Sequence, residues 1–345
     1  MARHRDPEDK NAKITLDGVA KLARASPITV SRTLRNPKLV AEATRKRILE
    51  VIEETGYIPD MAASTLASSH SRIVAVIIPR VTNPSNAEIF QGLADRLENE
   101  GLSLVLGTTK SESEREQALI QAMIGWRPAA LTMTGMDHTV VTRRLLAQAD
   151  FPVIELFDTA EPPVDMAVGF SNADAMADLT RTIWSLGYRS IHYIHVELPQ
   201  NSRFVRRRQG FHIAMREFGL AAPTVHTATD VTFAAGAEAA RALLSADGRP
   251  DAVICTNDVV AVGAMFEFMR NGLRVPDDIA VAGFEDIDMA SAICPSLTSV
   301  RVDAYEVGQI SGEHIVLRLA GKEAPRVVDT GFEIVVRDST PVRSV

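Results

Sequence analysis

Only two cysteines occur in 345 residues, Cys255 and Cys294, and they lack the CxxC spacing of a redox or zinc motif. That excludes a disulfide framework and predicts reduced structural thiols. No run of about eighteen apolar residues is available to cross a bilayer. The polar start MARHRDPEDKNAK lacks the apolar core of a secretory signal. A cytoplasmic protein is expected. A dinucleotide-binding G-x-G-x-x-G, a P-loop, a G-x-S-x-G elbow and metal-ligand spacing are all missing. The eight histidines are scattered, and His192 and His195 alternate with apolar residues as structural strand positions do. No catalytic residue, cofactor or metal is expected, so the chain does not read as an enzyme.

What is present is apolar material for a sizeable core, 46% of residues, in a length that suggests two or three domains. The net charge of −7 conceals an asymmetry. Residues 1–72 hold 13 Lys and Arg against 9 Asp and Glu, while the remainder holds 24 against 35. A basic head on an acidic body suits a protein that places only its head on nucleic acid.

The head is the stretch Ile14–Leu66. Thr15 can cap a first helix whose apolar face is Leu16, Val19, Ala20 and Ala23. After a break at Arg24 and Ala25, Ser26 is a good N-cap and Pro27 sits where its missing N–H costs nothing. In the second helix Val30 and Leu34 face inward, which leaves Ile28 and Arg32 outward. An exposed Ile beside an Arg suits a DNA major groove, where Arg pairs with guanine and Ile meets a thymine methyl. The hydroxyls of Thr29, Ser31 and Thr44 can take phosphates, which position a reader without reading sequence. Residues 14–59 therefore read as a helix-turn-helix domain and 1–13 as a disordered tail.

The small, polar run at 60–70 reads as a hinge, too short and too poor in large apolar groups to be a stable helix alone. Beyond it, near-continuous apolar strands alternate with helices twice over: RIVAVIIP, SLVLGT, AALTMT and PVIEL, then SIHYIHV, DAVICT and IAVAGF. Such alternation predicts two doubly wound lobes of parallel sheet covered on both faces. Ligands bind beyond the carboxyl ends of such strands, so a cleft between the lobes is the expected site. Ser85, Asn86, Asp158, Asn257, Asp258 and Glu285 each follow an apolar strand. In RFVRRRQGF a guanidinium can hold a carboxylate bidentately; Arg203 and Arg207 lie four apart on one helix face, and Arg203, Arg206 and Arg208 read as solvated.

The runs TLDGVAKLARASPITVSRTL, TRKRILEVIEETGYIPD, CTNDVVAVGAMF and VPDDIAVAGFEDIDMA resemble the LacI/GalR family of bacterial transcription regulators over nearly the whole chain. Within it, IELFDTAEPPVDMAVGF and ICTNDVVAVGAMFEFMRNGLRVPDDIAVAGF most resemble the gluconate-utilisation repressors. The resemblance implies an all-α headpiece on a two-lobed, periplasmic-binding-protein-like α/β body, 71–345. The implied N-lobe is about 72–171 plus 303–322 and the C-lobe about 172–302 plus 323–340. It implies base reading by Pro27, Ile28 and Arg32, with Thr15, Ser26, Thr29, Ser31 and Thr44 as positioning residues. Ala63 and Leu66 become the hinge residues in the minor groove, with Leu66 as the wedge between base pairs. Effector contacts fall to Asp158, Arg207, Asn257 and Glu285, with Ser85 and Asn86 on the opposite wall and Phe233 as an aromatic neighbour. Asp258 stands equally as helix cap or contact.

The implied protein is a repressor that works as a homodimer on a pseudo-palindromic operator. Its effector is a small sugar or sugar acid, gluconate or a related aldonate, with induction favoured over corepression. A sugar-binding transport receptor, or a repressor of another carbohydrate pathway, is the alternative. No leucine heptads follow GFEIVVRDSTPVRSV, which argues against a coiled-coil tetramer. The headpiece departs from the family at four positions: Gly18 for an acidic residue, Arg24 for the turn glycine, Ala41 for a capping Ser and Asp60 for Asn. The turn is accordingly expected to close without a left-handed residue.

Overall fold

The computed structural model describes residues 14–35, 37–58, 71–198, 201–220, 223–246 and 248–343. The tail and the hinge, with Asp60, Ala63 and Leu66, lie outside the described residues. Two compact units divide the chain after Ser71.

The first unit packs α1 (Leu16–Leu22), α2 (Pro27–Arg35) and α3 (Glu42–Thr55) around Val19, Ala20, Ala23, Val30 and Ile48. Thr15 Oγ1 accepts from Gly18 N at 3.2 Å, and Ser26 Oγ accepts from Thr29 N at 3.1 Å. These bonds satisfy two amides that a helix start leaves without a partner. Ala41 opens α3 without a side-chain cap, as its missing hydroxyl dictates. The turn between α1 and α2 corrects an expectation: Arg24 itself takes the left-handed conformation, φ +47°. Arg47 Nε donates to Ala23 O at 2.7 Å, so a side chain from α3 holds that turn.

The second unit begins with β1 (Ile73–Ile78), α4 (Pro84–Leu97), β2 (Ser103–Thr108), α5 (Ser113–Gly125), β3 (Ala130–Thr134), α6 (Val140–Ala147), β4 (Val153–Leu156) and β5 (Met166–Gly169). It continues through α7 (Asn172–Ser185), β6 (Ile191–Val196), α8 (Ser202–Glu217), β7 (Val225–Ala228), α9 (Phe233–Ser245), β8 (Ala252–Cys255), α10 (Asp258–Arg270) and β9 (Ala280–Ala282). The last elements are α11 (Asp288–Ala292), β10 (Ser299–Arg301), α12 (Ala304–Leu319), β11 (Val327–Asp329) and β12 (Glu333–Val335). One sheet runs β11-β5-β4-β3-β1-β2 and another β7-β6-β8-β9, both parallel throughout. In β1 every residue from Val74 to Ile78 is buried, as a sheet covered on both faces requires.

The chain crosses between lobes at Ser171, which caps α7, and at Asp303, which caps α12. The third crossing is not at Lys322. Val327–Asp329 still pairs in parallel with β5, and Glu333–Val335 then pairs with β10, so the crossing falls between β11 and β12. The assignment of 323–340 to the C-lobe is corrected accordingly: an edge strand of three residues carries too little periodicity to be seen in sequence. In the N-lobe α12 lies directly on α4, and a Cβ on Gly92 would stand 2.2 Å from Tyr305 O. Phe157, Phe170 and Phe284 join the lobes at the crossover, with successive ring centroids 6.1 Å apart.

Candidate effector cleft and DNA-reading face

In the first unit, Val30 is fully buried while Ile28, two positions away, is 68% exposed and Arg32 is exposed. Pro27 is the first residue of α2 and is exposed. The hydroxyls of Ser26 and Thr29 lie 2.8 Å apart, so this pair is braced at the helix start. Ser31 and Thr44 are half-buried.

In the second unit the carboxyl ends of both parallel sheets face one cleft. Its N-lobe wall is made by the loops after β1, β3 and β4, and its C-lobe wall by the loops after β7, β8 and β9 and the start of α8. Polar bridges cross it. Asn83 Nδ2 donates to Glu285 Oε2 at 3.2 Å, and Arg80 holds Asp230 through contacts of 2.8 and 3.1 Å. Arg206 donates to Asp158, and Ser202 N donates to Asp137.

The sequence-predicted residues divide. Asp158, Arg207, Asn257 and Glu285 come together in the cleft and all are buried. Arg207 Nε donates to Asn172 Oδ1 at 2.9 Å; its Nη1 donates to Thr256 O at 2.9 Å and Glu285 Oε1 at 3.2 Å. Its guanidinium carbon stands 3.7 Å from the Phe284 ring centroid. Asn257 Oδ1 caps α10 by accepting from Val260 N, while its Nδ2 is buried with no partner among the described residues. A buried amide in that state is open to a water or a ligand. Burial drives the Asp158 pKa up, against the charges of Arg206 and Arg203. Glu285 holds φ +104° and Asp286 φ +52°, a strained pair at the cleft wall. Ser85 and Asn86 are buried, and Asn86 Nδ2 is committed to Arg80 O at 2.8 Å.

Asp258 and Phe233 are placed differently. Asp258 is neither cap nor free: Ser299 Oγ donates to its Oδ1 at 2.7 Å and Ile287 N to its Oδ2 at 2.9 Å. Full burial lifts its pKa to about 8, and a Cβ on Gly283 would lie 2.0 Å from Oδ1. It staples the β9 and β10 loops behind Glu285. Phe233 opens α9 half-exposed and makes no ring contact among the described residues. The reading of the other arginines changes too. Arg206 is paired with Asp158, and Arg203 is 7% exposed beside the cleft. A helix that starts at the cleft turns its whole first two turns inward, which the apparent hydrophilicity of RFVRRR hides. Arg208 is half-exposed.

Sequence reasoning missed Asn83, Asp137 and a buried cluster behind the N-lobe wall. There His138 lies 2.8 Å from Glu116 and 3.1 Å from Glu155. Burial opposes its charge, but hydrogen bonds to both carboxylates outweigh burial and lift its pKa to about 9. Three polar residues spread over 39 positions give no periodic signal. His195 is buried and held near pKa 4 by desolvation and by Arg208, consistent with a structural role.

Residues 15–60 match the bacterial regulatory proteins of the lacI family, and residues 180–340 match a periplasmic binding protein-like domain. The HTH-type transcriptional regulator GntR of Escherichia coli (strain K12) is 34% identical over 94% of this chain and 98% of its own. This chain belongs to the LacI family. GntR of Pseudomonas aeruginosa is 32% identical over 96% of this chain and 98% of its own. A solved LacI-family regulator from Silicibacter pomeroyi superposes with a TM-score of 0.89 at 30% identity, covering 95% of this chain and 99% of that one. The LacI-family chain described here is thus a DNA-binding transcriptional regulator and not an enzyme. Among its described residues no helix is long and apolar enough to cross a membrane.

Proposed function

We propose that this regulator is a repressor that releases its operator when gluconate or a related aldonate fills the body cleft. Residues 14–59 read DNA, 60–70 couple the head to the body, and 71–345 bind effector and dimerise. The observation that carries the reading is the α2 surface: Ile28 and Arg32 stand exposed on a helix whose opposite side, Val30, is fully buried. Such a face is costly in water and suited to base edges. Pro27, Ile28 and Arg32 read bases, while Thr15, Ser26, Thr29, Ser31 and Thr44 position the backbone. Ala63 and Leu66 act in the minor groove.

The acidic-sugar effector is supported by the arginines of α8 at the cleft and by the likeness to relatives named GntR. The effector contacts are Asp158, Arg207, Asn257 and Glu285, with Ser85 and Asn86 on the facing wall. A homodimer on a pseudo-palindrome fits the apolar surface that Phe266 and Met269 expose on α10, 43% and 42%. A coupling of about 1–3 kcal/mol between cleft and operator is enough for a working switch.

The test is selection of genomic fragments by the purified protein with and without gluconate, followed by Arg32→Ala. The variant is expected to lose about 1–3 kcal/mol of affinity for the selected site and little for random DNA. Equal losses on both, or no fragment preferred over bulk DNA, reject the assignment.

A further inference from the structure

The three arginines at the start of α8 differ in what they hold. Arg206 is matched with Asp158, and Arg207 with Glu285, Asn172 and the Thr256 carbonyl. Arg203 is 7% exposed, and its guanidinium makes no hydrogen bond or ion pair among the described residues. Its nearest aromatic contact is Phe157, at 5.7 Å. Burial, then the charge of Arg207, lowers its pKa to about 10 against the charges of Glu285, Asp158 and Asp137, which still leaves it a cation at neutral pH. A buried cation with no direct partner among the described residues is costly unless something else is to pair with it.

Arg203 lines a cavity shared by both lobes, with Thr109, Ser111, Glu116, Thr134 and Asp137 on the N-lobe side. The Thr134 hydroxyl there is buried and unpartnered among the described residues. Asp137 already places a carboxylate on Ser202 N, one residue before Arg203, at the positive end of the 16-residue helix α8. The start of α8 thus already accepts one carboxylate.

We infer that Arg203, and not Arg207, takes the anionic group of the effector, with Thr134 meeting its hydroxyls. Arg207, held by Asn172, the Thr256 carbonyl and Glu285, then contacts the effector without taking its charge. The inference rests on the acidic-sugar reading above and assigns its charge-reading residue.

The test uses the full chain and isothermal calorimetry with gluconate and gluconamide, the neutral amide of the same acid. Wild type is expected to prefer gluconate by roughly 30-fold, about 2 kcal/mol. Arg203→Met is expected to reduce that preference to within threefold of unity while keeping its gluconamide affinity. Arg203→Lys is expected to restore part of the preference. The thermal midpoint of Arg203→Met is expected at or above wild type, since a buried charge with no direct partner among the described residues is removed. Full preference in Arg203→Met, or equal loss of both ligands in the Met and Lys variants, overturns the inference. So does a wild type that binds both ligands equally, which leaves the sugar reading standing. A wild type that binds neither refutes the acidic-sugar reading itself, and the inference with it.

Discussion

Replacing Arg24 with Gly should stabilise the headpiece. Arg24 sits at φ +47°, where an L side chain crowds the following carbonyl at a cost of about 1–2 kcal/mol. Its side chain is exposed and makes no hydrogen bond or ion pair among the described residues. Its backbone bond, N to Lys21 O at 3.2 Å, survives the change. Glycine removes the strain but gives the unfolded chain more freedom, which offsets roughly 0.5–1 kcal/mol. The net gain is about 0.5–1 kcal/mol, a factor of about two to five in the opening equilibrium. Native-state hydrogen exchange on the full chain reads it directly, since Val30 and Ile48 are fully buried in this unit and their amides report its opening. Arg24→Gly should slow their exchange by about two- to fivefold, whereas Arg24→Ala, still an L residue, should not. If Arg24 also meets a phosphate, the salt slope of operator binding falls by about one unit in both variants. Unchanged or faster exchange in the Gly variant would refute the strain argument.

The Glu116–His138–Glu155 cluster predicts a pH effect in the body. The folded pKa of about 9 lies above the ordinary 6.5, so the proton is held more tightly in the folded state. The stabilisation is full below about pH 6.5 and fades as pH rises through 9, a loss on the order of 3 kcal/mol. Urea unfolding at pH 6, 7.5 and 9.5 should show this fall in wild type and a flatter profile in His138→Gln; parallel profiles contradict the cluster's role. Gly283→Ala places a Cβ 2.0 Å from Asp258 Oδ1, which must leave Ser299 or push the β9 loop aside. The expected cost is about 2–4 kcal/mol, from overpacking and one displaced hydrogen bond. On the proposed function, gluconate affinity falls with it because Glu285 is two residues away. A wild-type urea midpoint counts against the staple.

Much of this architecture was legible from residue order. Capping hydroxyls at Thr15 and Ser26, and the inward pair Val30 and Leu34, lie close in sequence and act locally, so pattern alone places them. Continuously apolar strands such as RIVAVIIP and DAVICT mark the strand–helix alternation of the body. Helices α6, α11 and α12 and strands β5, β7 and β10 to β12 give no such signal; β10 to β12 are three residues each, and their partners lie more than thirty positions off. The same limit governs the cleft. Residues that follow strands, such as Asp158 and Asn257, could be placed by topology. Which guanidinium meets which carboxylate could not, because Arg206 with Asp158 and Arg207 with Glu285 are pairings across 48 and 78 residues.

Those long-range pairings also explain how the cleft can act as a switch. The bridges that cross it are polar, and the outer one, Arg80 with Asp230, is about one-third exposed on each side. An ion pair in that position contributes roughly 0–1 kcal/mol. The joint at the crossover is apolar instead, with Phe170 packed between Phe157 and Phe284. Lobes joined by a packed aromatic pivot and latched by weak polar contacts keep their alignment while their separation stays easy to bias. Inverting a 1:99 preference takes about 5.5 kcal/mol of differential binding. A ligand that pairs with Arg203 and Asn257 Nδ2 gains two interactions that no described residue makes, and both come from the C-lobe wall. If its hydroxyls reach Thr134 on the facing wall, the same molecule ties the walls together, and its binding energy becomes the closing energy.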